Sequence, residues 1–114
     1  MNSKYALGLL ALLMSLLAAS SPAVGAVDED AAKALLKSND CFKCHAVDKT
    51  KKGPSYKKIA AKYKGKADAE QKLLDNVTKE PKVKLEDGTE EKHKMIDTKD
   101  PKELKNLFEF ILSR

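Results

Sequence analysis

The chain has two cysteines, and both fall in one short stretch, Cys41-Phe42-Lys43-Cys44-His45. The pattern C-x-x-C-H is the attachment signature of a c-type haem. Two thiols at this spacing reach the two vinyl groups of one porphyrin and form thioethers. The histidine that follows lands under the iron as the proximal ligand. With both thiols committed here, no disulfide framework is left to brace the fold. A small domain buries little apolar surface and usually borrows stability from a disulfide, a metal or a cofactor. The chain is therefore expected to wrap around one covalent haem c.

The N-terminal segment reads as a leader rather than as part of that fold. Met1-Asn2-Ser3-Lys4 is a short basic start, Tyr5 to Ala19 is apolar, and Ser20 to Ala26 supplies a helix break and small residues. This is the pattern of a secretory signal peptide, with cleavage expected after Ala26. Residues 1–26 are thus assigned to the leader and 27–114 to a single domain. The apolar run falls short of the ~20 residues a membrane span needs, so no span is expected after cleavage. The implied compartment is the periplasm, which is also where c-type haem is attached.

Charge narrows the partners. The formal net charge is +5, and Arg114 is the sole arginine among the basic residues. Nucleic-acid readers favour arginine forks and stacking aromatics; this chain has no tryptophan and few aromatics of any kind. A lysine-rich surface suits brief electrostatic docking to acidic redox proteins. Any single lysine is more simply a solvating charge.

Four helices are expected. Asp28 to Lys37 has acids in its first turn and lysines toward its end, matched to the helix dipole. Ser55 to Gly65 carries Tyr56, Ile59, Ala60 and Tyr63 on one face, with Gly65 placed to end it. Ala67 to Thr78 has Leu73, Leu74 and Val77 as its stripe, and Pro81 stops it. The last helix starts with Asp100 as N-cap, Pro101 in the first position and Glu103 completing a capping box. Leu104, Leu107, Phe108 and Ile111 form its buried face, with Phe110 flanking. Between Pro81 and Asp97, Val83 and Leu85 alternate with charge and Asp87-Gly88 is a turn signal. This stretch reads as an extended loop or short hairpin, ending in His93, Met95 and Ile96. The fold class is all-α.

Two rivals to haem are weaker. A thioredoxin-like C-x-x-C needs alternating strands and helices, which this chain does not offer. A zinc-binding structural module could count four ligands from Cys41, Cys44, His45 and His93. Zinc motifs usually bring a second close pair, and here one ligand would adjoin Cys44 directly.

The stretch from Cys41 to Lys49, followed by Gly53-Pro54-Ser55-Tyr56-Lys57-Lys58-Ile59-Ala60-Ala61-Lys62-Tyr63, resembles the short bacterial class I cytochromes c. Glu103 to Leu112 is similar too, with phenylalanine near the place where the family often has tryptophan. The resemblance implies a class I cytochrome c fold, with the first and last helices crossing and the haem in a crevice with one edge exposed. It also implies that the carbonyl of Pro54 accepts a hydrogen bond from His45, which fixes the tautomer and raises the basicity of the ligating nitrogen.

The sixth ligand stays open between His93 and Met95. The family's methionine commonly precedes proline in a glycine-containing loop, and here Met95 precedes Ile96. His93 is favoured, because imidazole is the commonest metal ligand and the loop departs from the methionine pattern. Some small secreted cytochromes with an acidic-then-histidine loop like Glu90-Glu91-Lys92-His93 resemble bis-histidine proteins. Met95 as a core gap-filler and His93 as a solvated loop residue are the plainer readings.

The functional expectation is a monomeric, non-enzymatic electron carrier with a six-coordinate haem. Lys43, Lys49, Lys51, Lys52, Lys57 and Lys58 are its expected docking ring. The alternative is a haem enzyme or gas-ligand-binding protein with a displaceable sixth ligand. No distal catalytic set is evident for it.

Overall fold

The computed structural model describes residues 26–114. The expected leader, apart from Ala26, lies outside them. Helix α1 spans Glu29–Ser38, a 3-10 turn Cys41–Lys43, α2 Tyr56–Tyr63 and α3 Ala69–Thr78. A hairpin follows, β1 Lys82–Lys84 and β2 Glu90–Lys92, and α4 Pro101–Leu112 closes the chain. The strands pair antiparallel, with Val83 opposite Glu91. The extended segment is thus a short hairpin, turned by Gly88 at φ +85°, a conformation open to glycine at no steric cost.

Helix α4 is the hub. It packs against α1, α2 and α3 because its apolar residues recur at three- and four-residue spacing. Leu104, Leu107, Phe108 and Ile111 are buried as the periodicity predicts. Phe110 is not a flank. It is 0 % exposed, the most deeply buried large side chain with Leu107 and Leu36. Arg114 covers it, its guanidinium carbon 4.3 Å from the ring centre. Leu36 of α1 and Leu107 and Phe110 of α4 belong to one buried cluster, and burying each contributes about 1.5–3 kcal/mol.

Three of the four α-helices start on a side-chain cap, while Asp68 ahead of α3 makes none. Asp28 accepts from Ala31 N at 3.0 Å and Ser55 from Lys58 N at 3.0 Å. Asp100 accepts from Lys102 N at 2.9 Å. The expected capping box does not close. Glu103 accepts instead from the hydroxyl of Thr98, whose oxygen takes the Asp100 N–H at 3.1 Å. Thr98 competes successfully because the extended chain before the cap brings its hydroxyl between the two.

Two amides lock distant segments. Asn106 accepts from Asp28 N at 2.8 Å and donates to Asp28 O at 2.9 Å, which fastens the start of α1 to α4. Asn39, 3 % exposed, donates to Leu35 O and accepts from Asp97 N at 2.9 Å. It ends α1 and holds the segment that leaves the hairpin.

Candidate haem site

The helices enclose a crevice of about 830 Å³. Leu36, Leu73, Val77, Leu107, Phe108 and Ile111 supply its apolar lining. Cys41, Cys44, His45 and Pro54 lie along it, as do His93 and Met95 from the far segment. The residues singled out in the sequence for haem attachment and iron ligation therefore meet at one cavity.

The motif side is built from the end of α1. Asp40 takes a left-handed conformation, φ 57°, and reverses the chain. The 3-10 turn follows, closed by Cys44 N to Cys41 O at 3.2 Å and His45 N to Cys41 O at 2.9 Å. Both thiols are free and partly buried, and burial pushes the Cys41 thiol above its ordinary pKa. The loop after His45 folds back through Gly53 N to Cys44 O at 2.8 Å and Tyr56 N to Ala46 O at 2.9 Å. This return sets Pro54 O 2.6 Å from His45 Nδ1. A carbonyl only accepts, so Nδ1 carries the proton and Nε2 keeps its lone pair for a metal. Burial holds the His45 pKa below its usual value, against the opposing pull of the Pro54 carbonyl. The imidazole is thereby kept neutral and able to ligate.

Gly53 has a steric reason that the sequence does not disclose. A Cβ there would lie 3.0 Å from His45 Cε1 and 3.3 Å from Nδ1. Tyr56 stacks on the imidazole, ring centres 5.2 Å apart and planes at 28°.

The far side is a strap, residues 93–97, pinned at several points. His93 N donates to Pro81 O at 2.9 Å and Ile96 N to Val77 O at 3.0 Å. Lys94 reaches Asp40, the residue before Cys41, at 3.1 Å. His93 Nδ1 donates to Lys94 O at 2.9 Å, which again leaves Nε2 as the lone-pair nitrogen. The His93 and His45 ring centres are 6.1 Å apart. Met95 also lines the crevice but is 45 % exposed.

These residues would fit a haem: His45 and His93 each keep Nε2 as the lone-pair nitrogen, and ring centres 6.1 Å apart would leave room for one metal ion between them at the usual nitrogen–metal distance of about 2.0–2.1 Å. Among the described residues no group of three or more His, Cys, Asp or Glu is placed to hold a bare metal ion, so the zinc reading has no cluster to rest on.

A family model described as Cytochrome c matches residues 29–114. The chain belongs to the cytochrome c family. Haem c is its cofactor, and Cys41 and Cys44 supply the attachment motif of that family. The crystal structure of the class 1 cytochrome MtoD from Sideroxydans lithotrophicus ES-1 superposes with a TM-score of 0.73 at 61 % identity, covering 77 % of this chain and 97 % of that one. Cytochrome c-551 of Pseudomonas aeruginosa is 44 % identical over 66 residues, 57 % of this chain. The matched stretch spans 62 % of that relative's length. Four helices, a small sheet and this neighbour make the cytochrome a small monohaem protein of the class I fold.

The crevice margin differs from the expected lysine ring. Lys43 and Lys58 line it, but Lys49, Lys52 and Lys57 do not, and Lys51 is tied to the carbonyl of Phe42. Lys62, Lys84, Lys92 and Lys94 line it instead. The hairpin, the strap and α2 bring them in from parts of the sequence outside the motif, and no local signal marks them.

Proposed function

We propose that this cytochrome is a periplasmic carrier of single electrons whose haem iron is held by His45 and His93. The observation that carries the reading is the opposition of the two imidazoles across the crevice, 6.1 Å between centres, with each Nδ1 tied to a backbone carbonyl. The exposure of Met95 supports His93 over it. Haem supplies the one-electron couple; the chain's residues set its potential and its access. Two imidazoles made more basic by their carbonyl partners favour the ferric state relative to a methionine partner. With His45 and His93 both on the iron, no iron site would remain for a substrate, which supports a carrier over an enzyme. Residues 1–26 act as the export leader, and among the described residues no helix is long and apolar enough to cross a membrane. The cytochrome works as a monomer that docks through the lysines around the crevice to acidic redox proteins.

Near-infrared and low-temperature electron-resonance spectra of the native protein, His93→Ala and Met95→Ala test the ligand set. A native ferric spectrum without the far-red sulfur-ligation band, lost only in His93→Ala, is expected. A low-spin spectrum that survives His93→Ala would remove His93 from the iron. Rapid carbon monoxide binding by the reduced native protein would favour the gas-binding alternative.

A further inference from the structure

The hairpin carries a charge arrangement that its own stability does not explain. Its two strands form the whole sheet, so both are edges. Lys82 stands directly opposite Lys92, and Lys84 opposite Glu90. Side chains opposite one another, or two residues apart on a strand, share a face. Lys82, Lys84 and Lys92 therefore share one face with Glu90, and all four are exposed. Among the described residues none of these three lysines has a carboxylate within ion-pair reach. Like charges directly opposite across a ladder destabilise it, and opposite charges stabilise it. The Lys82–Lys92 rung is a costly place for repulsion. Next to it His93 N donates to Pro81 O at 2.9 Å, the bond that fastens the strap to the hairpin. Lysine on an exposed strand also guards the edge against pairing with other chains, but that duty does not call for two lysines in register. Lys84 and Lys92 line the crevice, while Lys82 does not line it and faces Lys92 across the ladder.

We propose that this lysine face of the hairpin is the recognition element for the acidic redox partner, and that surface carboxylates of the partner sit between Lys82, Lys84 and Lys92 when the two proteins dock. The inference rests on the carrier reading above and extends its docking surface past the crevice margin to Lys82. Charge complementarity chooses the occupant. The face holds three ammonium groups and one carboxylate, on a chain of formal net charge +5. A carboxylate placed between Lys82 and Lys92 turns their repulsion into two attractions. Lysine ammoniums are compact charges on flexible stems, so they receive a carboxylate without demanding one geometry, which suits small interfaces that form and part quickly. Repulsion borne by the free protein and relieved in the complex exchanges stability for binding. The relieved rung is the one beside the bond from His93 N to Pro81 O, so the partner makes its contact on the element that holds the strap. The inference is indifferent to whether His93 or Met95 is the distal ligand.

An NMR titration of isotope-labelled, reduced, haem-loaded protein with poly-L-glutamate, the probe for an acidic protein surface, tests it. Amide shifts are expected to centre on the two strands, Lys82–Lys84 and Glu90–Lys92. Lys82→Glu is expected to weaken binding about three- to tenfold at low salt. Lys99→Glu makes the same charge change at an exposed site off the crevice and is expected to alter binding less than about twofold. Lys82→Glu is also expected to raise the denaturant midpoint of the holoprotein, because attraction to Lys92 replaces repulsion. A Lys82→Glu protein that binds the polymer as the native does, a loss matched by Lys99→Glu, or amide shifts spread evenly over the surface would overturn the proposal. So would a midpoint that does not rise, since the rung would then hold no repulsion to relieve. If Lys58→Glu and Lys62→Glu weaken binding while Lys82→Glu does not, the hairpin proposal falls and docking stays on the crevice margin. If none of the three weakens it, the docking surface of the carrier reading falls as well.

Discussion

Single residues decide how the proximal imidazole is held. Gly53 leaves room for the His45 ring, and Pro54 supplies its carbonyl partner. A methyl group at position 53 enters the ring's space, and crowding of this kind costs about 1–3 kcal/mol. Gly53→Ala should therefore lower the denaturant midpoint of the holoprotein and shift its reduction potential, because the ring must turn away from Pro54. Pro54→Ala, which keeps a carbonyl in the chain, should perturb the potential less. The sequence carried part of this. The Gly-Pro pair pointed to the Pro54 carbonyl through a family resemblance, while the steric need for glycine depends on a ring eight positions earlier and shows only in three dimensions. The same holds for Asn39 and Asn106. Each reads locally as a polar residue at a helix end or on a helix face. Their partners lie 58 and 78 residues away along the chain, and no short-range pattern records such a bond.

Elements were more legible than contacts. All four helices follow from apolar spacing, and the last also from Asp100 as its cap, within a residue or two at their ends. The hairpin was half legible: Asp87-Gly88 announced the turn, but three-residue strands are too short for alternation to fix a register. Phe110 escaped its true rank because periodicity puts it beside the stripe, whereas α1 and the Arg114 cap enclose it from a second side. Since α4 contacts every other helix, damage there should propagate. Leu107→Ala removes a fully buried side chain at the α1–α4 crossing. Such truncations cost about 2–5 kcal/mol, which chemical denaturation followed at the haem band will register. Leu112→Ala, at a half-buried position of the same helix, should cost clearly less.

At the scale of the whole molecule, the cytochrome presents lysines from four separate segments around one opening. Among the crevice lysines, Lys43 and Lys94 share Asp40, while no ion pair is recorded for Lys58, Lys62, Lys84 or Lys92 among the described residues. Exposed pairs of this type add little to stability, so the cluster bears on encounter rather than on folding. Electrostatic steering raises association rates by roughly 10- to 1,000-fold and is screened beyond about 10 Å at 0.1 M salt. The rate of electron exchange with an acidic redox partner should therefore fall at least about tenfold between low salt and ~1 M salt. Changing Lys58, Lys62, Lys84 and Lys92 to glutamine should flatten that dependence. A stopped-flow rate indifferent to salt would dismiss the lysine cluster as a docking surface.

The strap bears on the order of assembly. Its fastenings to Asn39 and Asp40 join a segment near the C-terminal end of the fold to the residues just ahead of Cys41. A chain emerging from its N-terminus exposes both thiols before residues 93–97 exist to cover them. During that interval the crevice lacks its far wall, and a flat, bulky group can approach from the side that the finished protein closes. The clasp at Asn39 and Asp40 thus ties the closing of the far wall to the residues just ahead of the first thiol.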